Sequence, residues 1–199
     1  MKKTLTILTG ILIVFSSYSQ NPNTFRKIKH FSGDSSKTVE GIQGIAKLDT
    51  TYVLFNTVHT DTTSWDILIV EIDRYGNPLN KYYQTDPDKK YMPYAGQAIL
   101  VDRDTNIVVI SSLIHTNDGQ RDGYVLKLTP GLDTVWSNTF MYTDTMNCQE
   151  PAHFRPFVIE QTPDGGYIVG FKYYIDCIAS SSHSRYGLLK LDAAGQEQW

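Results

Sequence analysis

The sequence predicts an all-β fold in which one short antiparallel sheet is repeated about three times. The 13 tyrosines among 199 residues, together with many Thr, Ile and Val, favour strands over helices. No stretch keeps the 3.6-residue apolar period of an amphipathic helix. An apolar strand that ends in a turn recurs at Asp66–Ile72, Gly123–Leu128 and Tyr186–Leu191, and its copies end 56 and 63 residues apart.

Each repeat also contains an earlier, inner strand that follows a polar turn. Asp and Asn favour such turns because their side chains bond the nearby backbone, and Gly permits positive φ. The inner strands are Tyr52–Val58, Asn106–Leu113 and Tyr167–Tyr173, after turns at 48–51, 102–106 and 162–166. Further strand patterns lie at Phe25–Ile28, Gly44–Leu48, Lys81–Thr85, Ala98–Val101, Ser137–Tyr142 and Phe157–Glu160. Each unit then holds about four strands, with insertions at 86–94 and 143–155.

Four short antiparallel strands per repeat are typical of a β-propeller blade. One blade cannot bury both of its faces alone, whereas stacking between neighbours buries them. We expect units at about 24–80, 81–136 and 137–199, within one domain that spans residues 20–199. Because closed propellers have about 4–8 blades, the predicted fold is an incomplete propeller, truncated at its C-terminus and poorly soluble or oligomeric by itself. A self-contained sandwich or barrel is the alternative.

Residues 1–19 predict a secretory signal peptide. Lys2 and Lys3 precede the apolar run Leu5–Phe15, and Ser17 and Ser19 are the small residues before an expected cut at Gln20. A transmembrane anchor is the alternative, but a bilayer span needs about 20 apolar residues and the run is shorter. We therefore expect a secreted or cell-surface protein, exported through the periplasm, with no membrane insertion after cleavage.

The charge of the mature chain argues against a nucleic-acid partner. Loss of Lys2 and Lys3 leaves 16 basic and 21 acidic residues, a formal net charge of −5. A protein that binds nucleic acid would present a basic face. The expected partner is instead a protein or a carbohydrate.

The only two cysteines, Cys148 and Cys177, predict a disulfide. Both lie in the third unit, in or beside its long insertions, and an even count in an exported chain favours pairing. The bond would close a loop with 28 residues between the cysteines, which contributes roughly 3 kcal/mol in the chain-entropy model. Two unpaired thiols are the alternative, and mass spectrometry without reduction distinguishes them, since free thiols would be alkylated.

Two tryptophans occupy the same place in the repeat. Trp136 follows the outer turn of the second unit as Trp199 follows that of the third, whereas the first unit has Asn80 and Tyr82 near this place. We predict that both tryptophans pack between blades, where an aromatic side chain buries about 150–250 Å². Trp136→Ala should then cost about 3–5 kcal/mol in a two-state unfolding experiment.

Few side chains in the sequence carry a pattern typical of catalysis or metal binding. His59 and His115 lie 56 residues apart, so equivalent positions of adjacent blades could share a metal, but an inherited polar strand end explains them better. The segment 102–106 begins like a calcium loop yet lacks the Gly and Glu of an EF-hand, which favours a turn. The loop 180–184 combines Ser and His without an orienting acid. We predict no catalytic, cofactor or metal site.

The third unit resembles the repeat of secreted bacterial β-propeller proteins, which runs T-x-D-G-G-Y-I and then K-L-D-x-x-G-x-x-x-W. The matching residues are Thr162, Asp164–Ile168, Lys190–Asp192, Gly195 and Trp199. The first two units match less closely, with Asp49-Thr50-Thr51 and Asp104-Thr105-Asn106 in place of Asp-Gly-Gly. The resemblance implies a surface or extracellular protein, often adhesive, and many members are exported by the type IX secretion system with a C-terminal sorting domain. No catalytic residue carries over.

The predicted function is therefore a secreted or cell-surface module with a binding, adhesion or scaffold role. The alternative is the N-terminal part of a propeller enzyme, a hydrolase or a quinoprotein-type dehydrogenase, whose active residues lie in missing sequence. Leu191–Trp199 is similar to the tryptophan-docking repeat of quinoprotein propellers. A binding module should gather exposed polar and aromatic residues across one loop face, and an enzyme should focus them in a deep axial pocket.

Overall fold

The structure is a computed structural model that describes residues 38–59, 65–93, 97–141, 153–175 and 183–199. In these ranges the chain is all β, as predicted, with strands in three antiparallel sheets. The strands are β1 (Thr38–Leu48), β2 (Thr51–His59), β3 (Trp65–Ile72), β4 (Pro78–Gln84), β5 (Lys89–Met92), β6 (Ile99–Val101), β7 (Ile107–His115), β8 (Arg121–Leu128), β9 (Thr134–Phe140), β10 (His153–Gln161), β11 (Tyr167–Ile175) and β12 (His183–Leu191). The described ranges contain no helix with the length and apolarity that a membrane span requires.

Each sheet is a simple up-and-down meander. Sheet 1 has the order β1-β2-β3-β4, and sheet 3 has the order β10-β11-β12. In sheet 2, β5 and β6 pair with successive parts of β7, which is followed by β8 and β9. In sheet 3 the residues after the last turn begin a fourth row, because the N–H of Lys190 donates to the carbonyl of Trp199 at 2.8 Å and Leu191 bridges Glu197. The three sheets therefore share one pattern of strand positions.

Two details differ from the expected strands. The segment Lys89–Met92 forms β5, although it lies in the predicted insertion 86–94, because a four-residue, half-polar strand gives almost no periodic signal. The outer strands β4 and β9 pair with β3 and β8, so the sheets are offset from the sequence units that start near residues 81 and 137. The sheets of the described ranges do not close into a barrel or a propeller.

One turn is used five times at the same end of the sheets. The first residue of each turn donates its N–H to the carbonyl four residues later, at 2.8–2.9 Å, and the fourth residue has positive φ. Where the first residue is Asp, its carboxylate also accepts the backbone N–H groups two and four residues on. The turns are 73–77, 102–106, 129–133, 162–166 and 192–196.

The sheets stack in chain order, so each has a front face toward the preceding sheet and a back face toward the following one. Phe55, Ile67 and Ile69 on the back face of sheet 1 belong to the main core, whereas Leu54 and Leu68 on its front face form a separate buried cluster. Between sheets 2 and 3 the rings of Phe154 and Phe171 stack with centroids 4.1 Å apart. A Cβ at Gly123 would lie 2.4 Å from Phe154, so that back-face position must be glycine.

The first strands of the three sheets lie side by side. A Cβ at Gly44 of β1 would lie 2.5 Å from Ile99 of β6, and Gln97 forms a parallel bridge with Val158 of β10. The outer strands instead contact the next sheet's turns, since Asn80 donates to the carbonyl of Gly131 at 3.1 Å and Asn138 to that of Gly195 at 2.6 Å. The stack is therefore built by repeating one interface.

Candidate functional site

The two ends of the sheets differ in character. The turn end carries the five similar turns and the tight β1–β2 connection at 48–51. The loop end carries the connections between the second and third strands of each sheet and those between sheets, at 59–65, 84–89, 115–121, 140–153 and 175–183. Histidines, exposed cations and clustered aromatic side chains of the described residues lie toward the loop end.

At the loop end of sheet 2, a buried carboxylate organises three neighbours. Asp122 accepts from Gln120 Nε2 at 3.0 Å, and its other oxygen lies 2.7 Å from His115 Nε2. Gln120 also donates to the sulfur of Met141 at 3.3 Å, and Met141 is 67% exposed. Asp122 is buried while His115 is about one-third exposed, so the carboxylate holds a histidine in place at the surface.

The connection into β5 is fixed against this cluster. Thr116 donates its N–H and its hydroxyl to the carbonyl of Asp88, at 3.0 and 3.1 Å. Lys89 pairs with Asp86 at 3.0 Å. Burial acts to raise the pKa of Asp86, but hydrogen bonds from Lys89 and from the Asp88 backbone outweigh it, and the pKa is lowered. Loop-end residues of two connections are thus held in one arrangement.

Sheet 3 carries cations and aromatic rings at the loop end of its back face. Arg155 and Lys172 each lie 4.4 Å from the ring centroid of Tyr174, and Lys172 lies 5.7 Å from that of Tyr186. A hydrogen bond to Tyr174 raises the pKa of Lys172, and the same contact lowers the pKa of the phenol. Tyr186 is largely exposed and meets Phe157 edge-on.

The histidines predicted as alternatives for a metal site have separate partners. His115 pairs with Asp122, whereas His59 packs edge-on against Trp65 with ring centroids 4.8 Å apart. Within the described ranges, no group of three or more His, Cys, Asp or Glu side chains is placed to hold a metal ion. His183 lies at the start of β12, and His153 starts β10.

A closed triangle of polar side chains lies buried at the turn end, between sheets 2 and 3. Lys127 Nζ lies 2.9 Å from both Asp102 Oδ2 and the hydroxyl of Tyr167. The Tyr167 hydroxyl donates to Asp102 Oδ2 at 2.8 Å. Burial acts to raise the pKa of Asp102, but the hydrogen bonds from Lys127 and Tyr167 outweigh it, so the pKa falls below its usual 3.8. Burial raises the pKa of Tyr167 to about 12.

The other sheets repeat this contact in simpler form. In sheet 1 the hydroxyl of Thr51 donates to Glu71 at 2.8 Å, and Glu71 is equivalent to Lys127. In sheet 3 the equivalent Lys190 bonds Thr162 at 3.0 Å and Asp164 at 2.9 Å. The third strand is therefore tied to the first turn in each sheet. Only in sheet 2 does the tie extend to a neighbouring sheet, through Tyr167.

These ties give the repeat motif a structural role. Thr162 bonds Asp164, the carboxylate of Asp164 accepts the N–H of Gly166, and Lys190 joins both residues. The interpretation of 102–106 as a turn rather than a calcium loop is confirmed, because one carboxylate oxygen of Asp102 accepts two backbone N–H groups and the other bonds Lys127 and Tyr167. The motif residues thus shape turns.

Trp136 lies on the turn end of sheet 3. Its indole N–H donates to the carbonyl of Ala193 at 3.3 Å, and its ring meets Tyr167 edge-on at 6.0 Å. The side chain is only partly buried, and the unfolding cost of Trp136→Ala stays a prediction. Trp199 is 63% exposed, and its packing between blades also stays a prediction. Cys148 and Cys177, the signal peptide and the strand Phe25–Ile28 lie outside the described residues.

Sequence reasoning missed the Asp102–Lys127–Tyr167 triangle and the His115–Asp122 pair. A usable signal existed for the first, since Lys127 and Lys190 occupy one repeat position on strands where apolar residues surround them. The second had none, because Asp122 reads as a strand end. Comparison with family models and with curated proteins finds no match to this chain.

Proposed function

We propose that this chain is a secreted or cell-surface module that binds a protein or carbohydrate ligand through the loop end of its sheets. The observation that carries the proposal is the difference between the two ends. The turn end consists of short turns whose polar groups bond one another, whereas the loop end presents His115, Met141 and the ring of Tyr186 to solvent. Binding residues are typically held on loops by a rigid scaffold.

The loop-end residues have the chemistry of a recognition surface. His115 is fixed by Asp122 and Gln120, so little side-chain freedom would be lost when a ligand binds. Met141 offers an adaptable apolar contact. Arg155 and Lys172 beside aromatic rings favour ligands that combine apolar surface with hydrogen-bond acceptors. These groups are spread over adjacent sheets, as expected for a binding face.

The architecture that supports this function is an arc of propeller-type blades. Three sheets with one strand order, stacked in chain order and with their first strands side by side, favour this arrangement. The all-β fold suits an extracellular scaffold, and the signal-peptide pattern of residues 1–19 supports export. No observation in the described ranges favours the enzyme alternative, and we propose no reaction.

Substitutions at the two ends test the proposal. The purified mature chain is probed on an array of neutral and acidic oligosaccharides and on an array of extracellular-matrix peptides. We expect His115→Ala combined with Met141→Ala to reduce the bound signal at least about tenfold, the loss of about 1.4 kcal/mol. The matched control is Tyr75→Ala, an exposed aromatic at the turn end. Binding that Tyr75→Ala abolishes and the loop-end variant keeps would contradict the proposal, as would no binding on either array.

A further inference from the structure

We propose that the back face of sheet 3 docks a further antiparallel sheet, and that the residues of this face specify the partner's chemistry. This inference rests on the stacked arrangement in the proposed function but not on the ligand. Aligning Ile72, Leu128 and Leu191 makes Ile69, Val125 and Leu188 equivalent back-face positions. Ile69 is 0% and Val125 is 1% exposed, because a following sheet covers each. Leu188 is 60% exposed.

The tryptophans extend the same comparison. Trp136 donates to a carbonyl in the 192–196 turn of sheet 3, and a Cβ at Gly195 would lie 2.7 Å from its ring. Trp199 lies 63 residues later, at the equivalent position, and its backbone already pairs with β12. Its exposed indole is therefore placed to meet the outer turn of a following sheet. The free face continues an interface that the chain has already built twice.

The face also excludes a simple copy of sheet 3 as its partner. On sheet 2, Gly123 leaves the space that the Phe154 ring fills. The equivalent residue on sheet 3 is Tyr186, whose own ring occupies this space beside Phe157. A partner with Phe at the Phe154 position would collide with Tyr186. The partner sheet must therefore carry a small residue there.

Polar groups specify the partner further. On sheet 2 the hydroxyl of Ser112 donates to the carbonyl of Phe154 at 2.8 Å. The equivalent Lys172 bears a positive charge and lies beside Arg155. The partner's first strand should therefore present a carbonyl or a carboxylate to Lys172. Lys190 needs no hydroxyl from the partner, unlike Lys127, because it already bonds Thr162, Asp164 and the carbonyl of Leu191.

A tandem variant of the mature chain tests the proposal. Residues 137–199 are repeated after Trp199, with Phe154→Ala in the appended copy, and hydroxyl-radical footprinting reads the exposure of individual side chains. We expect oxidation of Tyr186, Leu188 and Trp199 in the original unit to fall at least about fivefold, since the core of a packed interface excludes water. The matched control is the same tandem with Phe154 retained, which should leave these residues exposed.

Three outcomes would overturn the proposal. The first is unchanged oxidation of Leu188 in the tandem that carries Phe154→Ala. The second is equal protection in both tandems, which would show that the size rule at Tyr186 does not select the partner. The third is protection in the single mature chain that grows with its concentration, which would assign the face to a second copy. Leu188→Lys in the protected tandem should restore oxidation of Tyr186 and leave Val125 protected. None of these readouts depends on ligand binding, so the proposed function can fail independently.

Discussion

Lys127 is the residue whose surroundings say most about how the sheets are joined. Its ammonium group is buried between sheets 2 and 3 and satisfied by Asp102 and Tyr167. A buried ion pair adds little stability compared with apolar side chains of the same shape, yet removing one partner is costly because a charge stays buried alone. The triangle therefore selects one alignment of the two sheets.

Asp102→Asn should destabilise the protein in a pH-dependent manner. At pH 7 the substitution leaves Lys127 buried without its counter-charge, which should cost about 3–5 kcal/mol. The pKa of Asp102 is lowered from 3.8 in the folded state, so its contribution is present above pH 3.8 and is lost as the pH falls through the folded-state pKa. Urea unfolding at pH 7 and near pH 2 should show the gap between wild type and variant narrowing in acid. Asp104→Asn, at an exposed position of the same turn, should show no such gap.

Sequence reasoning recovered Asp102 as a turn residue but not its partners. The turn is local, since the carboxylate bonds backbone groups two and four residues away. Lys127 and Tyr167 lie 25 and 65 residues away and meet it only when two sheets stack. Pair contacts of this kind carry no local pattern. They depend on which face of each strand is turned toward the neighbour.

At the scale of elements, the five similar turns explain why the strand order was predictable. Each turn places a residue with positive φ at its fourth position, and Gly76, Gly165 and Gly195 meet this requirement without strain. Thr105 and Leu132 adopt the same conformation in the other two. The apolar strands between these turns were long enough to be recognised. The four-residue β5 was not, and the irregular first strand of sheet 2 was recognised only at β6.

Gly195→Ala should cost more than Gly119→Ala. Both glycines have positive φ, at 76° and 73°, so an alanine pays about 1–2 kcal/mol for the left-handed backbone at either site. A Cβ at Gly195 would also lie 2.7 Å from Trp136, whereas nothing lies within 4 Å of one at Gly119. Overpacking adds about 1–3 kcal/mol. Denaturant midpoints of the two variants measure the difference, and equal losses would show that Trp136 does not rest on the turn.

At the scale of the whole molecule, the stack makes stability uneven. Sheet 2 has neighbours on both faces, whereas the back face of sheet 3 bears exposed Tyr186 and Leu188. In a stack where each unit contacts only its neighbours, stability is approximately a sum of unit and interface contributions. The sequence showed the repeat and its spacing, but it could not show which face of each strand is covered.

Amide hydrogen exchange should follow this order. The amides of β7 and β8 should exchange most slowly and those of β12 faster, because opening sheet 3 breaks only one interface. Phe154→Ala empties the space over Gly123 and removes the ring stacked on Phe171, which should cost about 3–5 kcal/mol. The substitution should speed exchange in β10, β11 and β12 while leaving β2 and β3 unchanged, since sheet 1 contacts neither ring. Met141→Ala, at an exposed side chain, is the matched control and should change none of these strands. Equal acceleration in all three sheets by Phe154→Ala would show that the stack opens as one cooperative unit, and the nearest-neighbour description would then be wrong.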